Sequence, residues 1–60
     1  MNAQERHALN QLVDMVLARL GVARASLVPE LIADIEEHIQ LGGVNHAVLY
    51  FTHSPKRVRQ

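Results

Sequence analysis

The chain has 60 residues, six Lys/Arg against six Asp/Glu, and no cysteine. That length allows one domain, which buries only about 60% of the surface its unfolded form exposes. The lack of cysteine excludes thiol catalysis, cysteine zinc sites and a disulfide framework, and makes a reducing compartment the default. No apolar run approaches the roughly 18 residues that span a bilayer, and Met1 to Glu5 lack the basic and apolar regions of a signal peptide. The expectation is therefore a cytoplasmic protein with no membrane partner. Five arginines against the single Lys56 is the bias of a GC-rich bacterial or phage genome.

The first segment, from about Asn2 to Leu20, places Leu9, Val13, Val16 and Leu20 at spacings of four, three and four. This is the seam of an amphipathic helix or a short coiled coil. Leu12, Met15 and Leu17 widen the apolar face beyond what one partner helix covers. Gly21 stands where a left-handed helix-ending residue belongs, and Arg19 complements the negative end of the helix dipole.

After a linker over Val22 to Ala25, Ser26 is expected to cap a second helix with Pro29 in its first turn, where a missing N–H is harmless. Its core stripe is Leu31, Ile32, Ile35 and Ile39. Glu30, Asp34 and Glu37 point elsewhere, toward a partner or solvent. Gly42 and Gly43 are expected to end it. The third segment, Val44 to His53, contains the run Ala47-Val48-Leu49-Tyr50-Phe51, which periodicity alone does not assign. Helix is preferred: Asn45 is available as a cap, Val44, Ala47, Val48 and Phe51 share a face, and a lone strand would have only a second copy to pair with. Ser54 and Pro55 close the segment. The expected architecture is all-α: a compact three-helix arrangement, a helical hairpin plus a short third helix, in one domain over residues 1–55, followed by a basic tail over 56–60.

The neutral total hides an asymmetry. Residues 1–26 sum to +1, residues 27–41 to −4 and residues 42–60 to +3. The acidic middle and the basic end can each attract an opposite charge.

The four histidines are the only groups that invite metal or acid–base chemistry, and their spacing argues against it. His46 and His53 share a face but lie about 10 Å apart along a helix, too far to ligate one ion together. No HExxH pair exists, and Glu37 next to His38 points to a different face. Ser54 beside His53 is a sequence neighbour without a third orienting group. Gly42 and Gly43 are followed by Val44 and Asn45 and not by the Lys and Ser/Thr of a phosphate loop. No enzyme activity, cofactor, metal or small-molecule substrate is expected.

Two short resemblances occur. Gly43-Val44-Asn45-His46-Ala47-Val48-Leu49-Tyr50-Phe51 resembles the third helix of ubiquitin-associated-type domains, which implies a compact bundle that binds a protein through an apolar patch; the Met-Gly-aromatic loop of that family is missing after the first helix. Gln4-Glu5-Arg6 and Ala8-Leu9-Asn10 resemble the opening of the plasmid-borne Rop-type helical-hairpin dimers, although Gly42-Gly43 falls where their second helix continues. Neither carries a function across.

The functional expectation is a small regulatory or inhibitory protein-binding module, a homodimer with Leu9, Leu12, Val13, Val16 and Leu20 in its dimer or core seam. Its size suits a phage or mobile-element modulator of a host protein. The alternative is a dimeric DNA- or RNA-binding regulator using the third segment and the tail residues Lys56, Arg57 and Arg59. Three phosphate contacts give a monomer little affinity, so this alternative depends on dimerisation.

Overall fold

The computed structural model describes residues 2–53. Helix α1 spans Ala3–Leu20, a 3₁₀ turn spans Arg24–Ser26, and helix α2 spans Pro29–Thr52. The protein is all-helical, with no strand among the described residues. The strand alternative for residues 44–53 is thereby corrected, since the segment continues as helix to Thr52. No helix among the described residues is long and apolar enough to cross a membrane.

Each end of α1 is held by local chemistry. The Glu5 backbone N–H donates to Asn2 Oδ1 at 2.8 Å and the Asn2 N–H to Glu5 Oε1 at 3.2 Å, so two N–H groups with no helical partner are each satisfied by the other residue's side chain. At the other end Gly21 adopts φ 72° and ψ 31°. Its N–H donates to the Ala18 carbonyl at 3.3 Å and that of Val22 to the Leu17 carbonyl at 3.0 Å, the paired bonds of a Schellman stop. Val22 thereby packs, half-buried, against the core that holds Leu17. Asn2→Ala removes the cap acceptor and is expected to cost about 1 kcal/mol, measured as a shift of the urea midpoint.

The entry to α2 differs from the expected one. The N-cap is Val28, with no side-chain cap, and Pro29 occupies the first turn. Ser26 lies two residues upstream in the 3₁₀ turn, where its Oγ donates to the Ala23 carbonyl at 2.7 Å. Proline's fixed φ sets the start of this helix, and the serine serves the turn before it.

Within α2, Gly43 leaves helical geometry at φ 85° and ψ −176°. A straight helix of 24 residues would be about 36 Å long, whereas the long axis of the molecule is 31 Å. The helix therefore folds into two arms, residues 29–42 and 44–52. Their rings meet: His38 stacks on Tyr50 with centroids 3.9 Å apart, and meets Phe51 edge-on at 5.3 Å. Asn45, expected as a cap, lies inside the second arm and accepts from Arg19 Nη1 at 2.7 Å.

The core consists of Leu9, Val13, Val16 and Leu17 from α1, Ile35 and Ile39 from the first arm, and Ala47 and Phe51 from the second. No polar or charged side chain is buried among the described residues. Leu31 and Ile32, expected in the core stripe, and Val44 and Val48 of the second arm are only partly covered.

Candidate functional site

The residues singled out as a seam on α1 divide into two groups. Leu9, Val13 and Val16 are buried by the chain's own α2, while Leu12 and Leu20 are half-buried and pack at the core's edge. Beside them α1 shows a second stripe. Glu5, Ala8, Leu12, Met15 and Arg19 follow spacings of three, four, three and four, which keeps them on one flank of the helix. Glu5, Ala8, Met15 and Arg19 are exposed. The upper part of this flank borders an open groove between α1 and α2, lined by Glu5, Ala8, Leu9, Leu12, Ile39 and Gln40. Its floor is aliphatic and its rim carries one acid and one amide, the lining expected of a groove that receives an apolar helix face.

Elsewhere the surface keeps large apolar groups in water. Leu41 is 70% exposed, Leu49 59%, Val28 52% and Met15 48%. With eight buried core residues among the described ones, four such side chains are a substantial share of the apolar surface.

Of the acidic residues, Glu30 and Glu37 are exposed, whereas Asp34 is partly covered. Asp34 is tied to His38: the His38 Nδ1 lies 2.8 Å from the Asp34 carbonyl oxygen and 3.5 Å from its carboxylate Oδ1. Because a carbonyl oxygen only accepts, Nδ1 carries the proton of this bond. Of the three acids expected to face a partner or solvent, Glu30 and Glu37 are thus exposed and Asp34 is engaged with a ring.

That ring belongs to a cluster the sequence did not reveal. His38 stacks with His46 at 5.6 Å as well as with Tyr50, and Tyr50 meets Phe51 edge-on at 5.0 Å. The first arm supplies His38 and the second supplies the others, so the cluster exists only because the chain reverses at Gly43. It joins the arms by aromatic contact. Among the described residues no group of three or more His, Cys, Asp or Glu is arranged to hold a metal ion.

The described arginines are committed unequally. Arg6 pairs with Glu36 at 3.0 Å and Arg24 with Asp14 at 3.0 Å. Arg19 has the neutral Asn45 as its partner. Lys56, Arg57 and Arg59 lie outside the described residues, so residues 2–53 set three arginines against six carboxylates.

No family model, no curated protein and no solved structure matches this chain.

Proposed function

We propose that this chain is a small regulatory or inhibitory binding protein of the cytoplasm, without catalysis of its own, acting on another protein through helix faces and assembling as a homodimer. In this reading the two arms of α2 behave as separate helices and give a three-helix body. The observation that carries the proposal is the division of the aliphatic residues. One set closes a small core, while Met15, Val28, Leu41 and Leu49 stay in water and an aliphatic-floored groove opens between α1 and α2. Surface of this kind is stabilised by a partner. A phosphate backbone is a poorer match for residues 2–53, where carboxylates outnumber arginines two to one.

Sedimentation or light scattering of the full chain is expected to show a mass that rises from monomer to dimer with concentration. A well-folded chain that stays monomeric throughout would sink the homodimer. Mixed-sequence duplex DNA at low salt provides the second arm of the test. Salt-sensitive binding that is lost on reversing Arg57 and Arg59 to glutamate would replace this proposal with the nucleic-acid reading.

A further inference from the structure

Resting on the homodimer reading, we infer that the two copies meet through the Glu5–Arg19 flank of α1, as an antiparallel helix pair with Leu12 at the two-fold axis. The pattern of this flank is self-complementary. Glu5 stands seven residues before Leu12 and Arg19 seven residues after it, with Ala8 four before and Met15 three after. At 1.5 Å per residue both charges lie about 10 Å from the centre, in opposite directions. A second α1 laid antiparallel across the first therefore sets Glu5 of each copy against Arg19 of the other, at both ends of an apolar middle. A two-fold contact requires this of a surface: one patch that complements itself.

The flank is available for the role. Val13 and Val16 are fully buried by α2, so the deep seam cannot serve a second copy without opening the fold. Met15 is 48% exposed and Leu12 half-buried at the groove, so both can meet a neighbour while the core stays closed. Both charges have spare bonding capacity. Among the described residues, Glu5 uses Oε1 in the cap and Arg19 uses Nη1 on Asn45, which leaves a second carboxylate oxygen and further guanidinium donors. Among the described residues, Arg6 and Arg24 each have a carboxylate partner, whereas Arg19 has Asn45. A parallel pair would instead oppose Glu5 with Glu5 and Arg19 with Arg19. The charges thus select one orientation as well as one face.

Charge exchange on the full chain tests this. Glu5→Arg alone and Arg19→Glu alone each place like charges at both ends of the antiparallel pair, and each is expected to weaken self-association by about tenfold. Mixing the two variants restores opposite charges at both ends and is expected to return wild-type affinity as a heterodimer. The double variant E5R/R19E is expected to dimerise like the wild type. Sedimentation equilibrium from about 1 µM to about 1 mM reads all four samples, across the range that a short helix-pair contact occupies. Far-UV circular dichroism confirms that each stays helical. Met15→Lys, at an exposed position, is expected to abolish the dimer while leaving the fold intact. If the wild type dimerises but neither single charge variant weakens it, this face is wrong and the homodimer reading survives. If the wild type is monomeric throughout, both fail.

Discussion

Phe51→Ala is expected to remove a large share of the chain's folding stability at 25 °C, about 3–5 kcal/mol. Phe51 is 2% exposed and is the largest of the fully or almost fully buried side chains. Truncating a buried phenylalanine costs about 3–5 kcal/mol through lost transfer energy and the cavity left behind. A domain of 60 residues holds about 3–9 kcal/mol in total. The substitution therefore removes a large share of the stability, and three features place this position toward the costly end. Phe51 is the last core residue of the second arm, so nothing beyond it among the described residues holds that arm down. It also supports His38 and Tyr50 edge-on, at 5.3 and 5.0 Å, and the ring cluster loses its base with it. Third, among the described residues the core has no buried polar network to fall back on. Urea denaturation followed by far-UV circular dichroism reads the loss directly. Leu49→Ala, two residues away but 59% exposed, is the comparison and should move the midpoint little in the monomer. Equal effects at the two positions would contradict the packing described above.

Position along the chain was easier to read than direction through space. The first helix is legible because its core residues repeat at spacings of three and four and because Gly21 follows them, so periodicity and stop signal agree. Residue preference misplaced the start of the second helix. Serine is a favoured cap, but the proline three residues on fixes the first turn and makes Val28 the cap. The Gly42-Gly43 pair was readable as a break in the helix. What it does to the chain was not. Twelve residues separate His38 from Tyr50, about 18 Å along an unbroken helix, yet their rings stack at 3.9 Å. Only the backbone angles at Gly43 convert the one distance into the other, and a glycine in a sequence does not state its angles. The α1 seam was legible as a face but not as an assignment. Spacing identifies an apolar face but not what covers it, so one stripe was assigned jointly to core and dimer. The structure gives Leu9, Val13 and Val16 to the core and leaves the neighbouring flank of Leu12 and Met15 to the groove and to solvent.

The two adjacent glycines are expected to fail on substitution for different reasons, and the difference can be measured. At Gly43 an added Cβ meets nothing within 4 Å. The obstacle is the backbone: φ 85° with ψ −176° lies in a region essentially reserved for glycine, and holding another residue there costs about 1–3 kcal/mol. At Gly42 the backbone is ordinary helix, but a Cβ would lie 2.6 Å from both Cβ and Cγ of His46. Rotation about χ1 can move the Cγ, but the Cβ is fixed to the backbone of the second arm, so the arm itself must shift, at about 1–3 kcal/mol for an overpacked contact. Gly43→Ala is therefore expected to destabilise the chain regardless of what stands at position 46. Gly42→Ala is expected to be relieved by His46→Gly and not by His46→Ala, because alanine keeps the offending Cβ. The relief is read as the coupling energy of a double-mutant cycle, after allowing for the intrinsic cost of glycine in a helix. Tyr50 is the only tyrosine and there is no tryptophan, so near-UV circular dichroism reports the ring cluster that the two arms share. In Gly43→Ala that signal should fall in native buffer while α1, capped at both ends by its own residues, keeps part of the far-UV signal. A near-UV spectrum unchanged by Gly43→Ala would mean that the arms do not depend on this glycine to fold back on each other.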